Sequence, residues 1–153
     1  PFSSWLIHRG AQTAELRIRR QMENANRLAA ALEADSRVEH VNHPSLPGYP
    51  QRELADRLFP DGLFTPMLSF ILPENPGLLD RFLRGLHFAR YAPTLGGIRT
   101  TLSHPVTSSH PHVPDQLRRE MRITPGMFRV SCGIEDPDDL IRDFLQALDG
   151  MKG

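Results

Sequence analysis

The sequence predicts an α+β fold, an antiparallel or mixed sheet with helices on one face. Three observations carry this. Residues 13–34 place apolar side chains at helical spacing, whereas 66–72 (PMLSFIL) form one continuous apolar run closed by Pro73 and Pro76. Helical and strand-like segments then follow one another without the strict β–α–β alternation of a parallel sheet.

The elements follow in chain order. Residues 2–9 read as a short helix capped by Ser3 or Ser4 and interrupted by Gly10. In 13–34, Leu16, Met22, Ala25, Leu28, Ala29 and Leu32 make an apolar stripe between arginines, and Thr13 stands at the cap position. Residues 37–42 (RVEHVN) alternate as a half-buried strand does. HPSLPGYP (43–50), with three prolines and a glycine, is loop. Helices are expected at 51–59 and 76–85, with a strand at 66–72 between them and another at 87–91. Residues 92–114 read as loop, with a strand at 98–102. A short helix at 114–121, a strand at 127–132 and a closing helix at 136–149 complete the chain.

At 153 residues the chain suits one domain with a real core. Eighteen basic residues balance eighteen acidic ones, and the arginines are scattered among few aromatics, which argues against a nucleic-acid partner. No apolar run is long enough to span a bilayer, and no signal peptide is apparent. One cysteine excludes an intrachain disulfide and fits a cytoplasmic setting. The chain starts at Pro1 rather than Met, which reads as part of something longer. Of the 18 basic residues only Lys152 is a lysine.

Five features invite chemistry. Arg129 interrupts an apolar strand, FRVSCGIEDPDDL. Its stem can snorkel along the sheet to solvent or an aspartate, or its fork can hold a carboxylate bidentately from a rigid base; spacing alone favours the first. The TLGG stretch at 94–97 allows close backbone approach with a hydroxyl beside it, though a tight turn explains it as well. His104, His110 and His112 sit in a proline-broken loop, a poor metal cage, so no metal is expected. Cys132 has no base nearby in sequence and reads as core. The acidic run 135–139 suits a helix N-terminus and asks for no other role.

Taken in order, the motifs resemble one family. PFSSWLIHRGAQTAELRIRRQMENANRLAAALE resembles the segment downstream of the cofactor lysine in the Cys/Met-metabolism pyridoxal-phosphate (PLP) enzymes. These include cystathionine γ-synthase, the cystathionine lyases, methionine γ-lyase and O-acetylhomoserine sulfhydrylase. VNHPSLPGYPQRELADR is similar to that family's proline-rich loop, TLGGIRTTLSHPVTSSH to its S-L-G-G-x-E-S-L-x-x-H-P-x-x-x-T-H, and ITPGMFRVSCGIEDPDDLIRDFLQAL to its R-L-S-V-G-I-E-D ending.

The resemblance implies the small C-terminal domain of a fold type I (aspartate-aminotransferase type) enzyme. Residues 1–34 would be a helical segment leading from a large PLP-binding domain that is absent here, and 35–153 the α+β small domain. It implies substrate binding by Arg129, on the α-carboxylate, with Thr94 and Ser109 beside it as hydroxyls. The cofactor would be pyridoxal 5'-phosphate, held mainly by the absent part, so no catalytic or cofactor-binding residue falls within these residues. Lys152 is a very poor candidate for the cofactor imine, and the chain alone is expected to be inactive. The implied reaction is β- or γ-elimination, or γ-replacement, on cystathionine, methionine or activated homoserine, in a homotetramer built as a dimer of dimers. Pro93 stands where several γ-lyases carry Glu, and Arg99-Thr100-Thr101 replaces E-S-L, which leaves the member reaction open. The alternative is a non-catalytic interaction or ligand-binding module that retains the fold.

Overall fold

The structure, a computed structural model, describes residues 1–152, and of Lys152 the backbone alone. The elements run α1 (Phe2–Ala11), α2 (Ala14–Glu33), β1 (His40–Asn42), α3 (Arg52–Leu58), β2 (Met67–Ile71), α4 (Pro76–Gly85), β3 (Arg90–Tyr91), β4 (Thr101–Ser103), α5 (Pro105–Ser108), α6 (Asp115–Glu120), β5 (Met127–Ser131) and α7 (Pro137–Asp149). A single 3-10 turn, Gly150–Lys152, follows. The sheet order is β1-β2-β5-β4-β3, antiparallel throughout except for the parallel β3–β4 edge. The predicted α+β mixed sheet is therefore the architecture found.

Side chains alternate across the two central strands because successive Cβ atoms point to opposite faces. Leu68 and Phe70 of β2, Phe128 and Val130 of β5 and Leu102 of β4 are buried on one face. There they meet Ala25, Leu28, Ala29 and Leu32 of α2, Phe82 of α4 and Leu140, Phe144 and Leu148 of α7. Phe70 stands at the centre, stacked on Phe128 and edge-on to Phe82 and Phe144, with centroids 5.6, 5.8 and 6.2 Å away. The other face of the central strands carries Met67, Ser69, Ile71, Met127 and Arg129, all half-buried.

Several boundaries differ from the sequence reading. Helix α1 runs through Gly10 to Ala11, and neither Ser3 nor Ser4 caps it. Thr13 occupies the N-cap position of α2 without a side-chain cap bond; its hydroxyl instead accepts from Arg17 Nε. Of the predicted stripe on α2, Leu16 is exposed and Met22 half-buried, while the four residues from Ala25 to Leu32 are sealed. A one-turn helix, α5, forms inside the stretch expected to be loop.

Three strands are shorter than expected, and a carboxylate explains each case. Asp35 accepts from Arg37 N and Nε, holding 35–38 as a turn, so β1 begins only at His40. Asp143, 3% exposed, accepts the N–H groups of His87, Phe88 and Ala89 at 2.7, 2.9 and 3.1 Å, so β3 begins only at Arg90. Glu135 accepts from Thr100 N and Oγ1 at 2.5 and 2.8 Å, so β4 begins only at Thr101. The acidic run thus does more than the N-terminal service expected of it. Asp136 caps α7, accepting from Asp138 N and Asp139 N, while Glu135 fixes the neighbouring loop.

Candidate substrate-carboxylate site

Arg129 sits mid-strand on β5, opposite Ser69 of β2 and Ser103 of β4. It projects to the face away from the core helices. Among the described residues its guanidinium has no carboxylate and no hydrogen-bond acceptor. This sets it apart from Arg37, which is clamped between Asp35 and Asp149 and held more firmly charged by them, Asp35 first. Beside Arg129 lies an open pocket of about 300 Å³, lined among others by Asn42, Tyr49, Thr65, Met67 and Ser69. A half-buried guanidinium with free donors, next to an open pocket, can fork onto a carboxylate.

The 94–97 turn is fastened to the same face. Gly96 N donates to Ser131 Oγ at 3.0 Å, and Ser131 is two residues along the strand from Arg129. Thr101 Oγ1 donates to the Thr94 carbonyl at 3.0 Å, and Gln21 Nε2 of α2 reaches Gly97 O at 2.7 Å. Gly96 takes a left-handed φ of +74°, which glycine adopts without the Cβ penalty. The Thr94 side chain is exposed and makes no hydrogen bond among the described residues. Ser109, at the end of α5, is exposed and bonds His110 Nδ1 at 2.7 Å. It hydrogen-bonds neither Arg129 nor the turn. The fold thus fastens the Thr94 turn to the Arg129 face and gives Ser109 no link to either.

Sequence reasoning passed over the residues that hold this turn. Asn24 of α2 donates to Gly133 O and Glu135 O at 3.0 and 2.8 Å, and Thr100 Oγ1 accepts from Gly133 N at 2.9 Å. A Cβ on Gly133 would stand 2.5 Å from Ile98 O, so glycine lets the two loops touch. Gln21 and Asn24 precede Ala25 and Leu28 at helical spacing, yet they are polar and buried. Polar residues on an apolar stripe were the available signal.

The remaining candidates are structural. Cys132 is fully buried and its thiol pKa is pushed up by desolvation, then by nearby Glu135, the reverse of what a nucleophile needs. Both ring nitrogens of His104 are engaged, with Thr107 Oγ1 and Pro125 O, and no metal-holding cluster occurs among the described residues. No helix among them is long and apolar enough to cross a membrane. No lysine precedes position 152, and the Lys152 side chain lies outside the described residues.

The mixed, mainly antiparallel sheet with its helices matches the architecture of the C-terminal domain of fold type I pyridoxal-phosphate enzymes. Residues 1–149 match the family described as "Cys/Met metabolism PLP-dependent enzyme", and the chain belongs to that family. It is 35% identical to cystathionine gamma-lyase of Saccharomyces cerevisiae over 149 residues, 97% of this chain and 38% of that protein. It is 34% identical to cystathionine gamma-synthase of Haemophilus influenzae, over 99% of this chain and 37% of that protein. The crystal structure of the yeast lyase superposes with a TM-score of 0.91 at 34% identity, covering 100% of this chain and 39% of that one. The chain spans well under half the length of these relatives.

Proposed function

We propose that this chain is the substrate-carboxylate-binding C-terminal domain of a PLP-dependent enzyme of sulfur amino-acid metabolism. The observation that carries the reading is the Arg129 fork, without a partner, beside an open pocket and a turn fastened to its own face. Arg129 would hold the α-carboxylate and Thr94 would add a hydroxyl at its edge. Ser109 would join them only after a rearrangement of α5. When bound, the cofactor supplies an electron sink for β- or γ-elimination or γ-replacement. The residues here contribute orientation of the amino acid. Residues 1–34 would link this domain to the large one, and the assembly would be a homo-oligomer. The 153 residues alone would be inactive, for want of the lysine imine.

The test is kinetic, in the full-length protein. Arg129→Lys keeps the charge and loses the bidentate fork, at a cost of about ten- to a hundredfold in kcat/KM. Arg129→Ala should cost more. Thr94→Ala, which loses one neutral hydrogen bond, should cost roughly fivefold. Thermal stability should stay near wild type in all three. If both Arg129 variants lower Tm and leave kcat/KM per folded enzyme intact, Arg129 is a brace and the reading fails.

A second reading is a non-catalytic interaction or ligand-binding module that keeps the fold. Coding sequence upstream of Pro1 separates the two. An S-x-T-K-like stretch there supports the enzyme.

A further inference from the structure

Two adjacent glycines give the 94–97 turn wide backbone freedom, so its position depends on what holds it. Three elements do so. Thr101 of β4 donates from Oγ1 to Thr94 O at 3.0 Å, Ser131 of β5 accepts from Gly96 N at 3.0 Å, and Gln21 of α2 donates from Nε2 to Gly97 O at 2.7 Å. Ser131 lies two residues from Arg129 on β5, hence on the same face and about 7 Å along the strand, a gap that an arginine side chain can span.

Gln21 is the unusual holder, because it reaches the turn from outside the sheet. It is only 2% exposed and sits on the apolar stripe of α2, one turn before Ala25 and two before Leu28. Burying a carboxamide there costs free energy that a leucine in the same place would not incur. The carbonyl it serves belongs to Gly97, which is exposed, so water can satisfy that oxygen without it. Neither the helix nor the carbonyl requires the bond. What the bond does is fasten the far end of the turn. Thr101 and Ser131 hold the turn at Thr94 and Gly96, and Gln21 closes it at Gly97. With that end loose, the two glycines rotate about their dihedrals and the Thr94 hydroxyl drifts.

We propose that Gln21 is a positioning residue for recognition of the substrate carboxylate: by holding Gly97 O it fixes the turn, and with it the Thr94 hydroxyl, at the edge of the Arg129 fork. This rests on the carboxylate-site reading of Arg129 and Thr94. It extends the site to α2, the element that would lead to the large domain, so the seating of that helix sets the geometry in which the acid is bound. A hydroxyl held in place before binding loses less freedom on meeting the carboxylate than one on a loose turn does.

The test compares the affinity of L-norleucine with that of L-norleucinamide, by calorimetry on the full-length protein. Norleucine carries no sulfur or ester to eliminate, and the amide keeps the side chain and amine but removes the anion. Wild type should prefer the acid. Thr94→Ala should reduce that preference roughly fivefold, the loss of one neutral hydrogen bond. Gln21→Leu should reduce it about three- to fivefold. In the Thr94→Ala background it should have no further effect, because it acts through that hydroxyl. Gln21→Met, equally without a donor, is the second variant and should give the same loss. The ratio is measured on folded protein, so a lower yield does not affect it. An unchanged preference in Gln21→Leu or Gln21→Met overturns the inference. So does a clear further fall in the double variant, which would show that Gln21 acts by another route, and so does an unchanged preference in Thr94→Ala; in each case a loss in Arg129→Ala would leave the clamp standing. If Arg129→Ala keeps the acid preference, the clamp reading itself falls and this inference falls with it.

Discussion

His43 is fully buried, with Nε2 3.0 Å from the Thr65 carbonyl and Nδ1 3.2 Å from the Ser45 N–H. A nitrogen that accepts a backbone N–H carries no proton, so the ring is the neutral Nε2–H tautomer. Burial lowers its pKa below the ordinary 6.5, against the opposing pull of the Thr65 carbonyl. Above pH about 6.5 it is neutral folded and unfolded alike. As pH falls through that value the unfolded chain takes up a proton that the folded one refuses, so stability drops from there downward. His43→Gln should therefore show a flatter Tm profile between pH 7.5 and 5.5 than wild type; parallel profiles would refute this. Cys132 yields a second prediction. With its thiol buried and its pKa raised, iodoacetamide at pH 8 should leave it unmodified in folded protein and alkylate it in denaturant, as read by mass spectrometry. The burial of Cys132 was legible because no base stands near it in sequence. The isolation of Arg129 was not: spacing favoured a solvent or aspartate partner, and whether an aspartate falls within reach depends on how the chain folds around it.

At the scale of elements, periodicity reported which segments form helix or strand, and long-range side chains decided where they stop. Helix α4 was read to the residue, because Asn75 and Pro76 mark its start within the sequence itself. β3 and β4 were overdrawn because the carboxylates that trim them come from residues 143 and 135, far along the chain, and β1 because Asp35 turns the chain next to it. Asp143→Ala would strand three N–H groups, one of them fully buried, and should cost about 3 kcal/mol or more in denaturant unfolding. A loss below 1 kcal/mol would show that water replaces the carboxylate. Gly126, before β5, tests the sheet in the same way. Its carbonyl accepts from Leu72 N at 3.0 Å, and a Cβ there would overlap the Leu72 carbonyl oxygen. Gly126→Ala should therefore destabilise by about 1–3 kcal/mol through displacement of β2 from β5. Gly10→Ala, where a Cβ meets nothing, should be neutral or slightly stabilising.

The whole molecule divides unevenly between core and periphery. From Ala25 to Met151 the buried apolar residues other than Ala55 and Phe64 form one cluster, in which the last turns of α2 join α4, α7 and the sheet. Helix α1 stands outside it. It buries no residue, has no side-chain cap, and exposes Phe2, Trp5, Leu6 and Ile7 by 69, 53, 47 and 74%. At ten residues it is also shorter than the ~12–15 at which isolated helices become marginally stable in water. Its apolar side chains and its helical pattern therefore call for a surface that the described residues do not supply, which agrees with the chain matching only the C-terminal part, about 38%, of longer relatives. Three outcomes follow for the chain alone. Amides of 2–11 should exchange with deuterium within seconds, while those of β2 and β5 stay protected to the global limit. Deleting 1–12 should leave Tm within about 2 °C, because almost no buried area is lost. The exposed patch should drive concentration-dependent association, measurable by sedimentation velocity and relieved by Leu6→Glu with Ile7→Glu. A strictly monomeric chain with slow exchange in α1 and a large Tm loss on its removal would mean that α1 already has its packing surface here, and that Trp5 and Ile7 need no other partner.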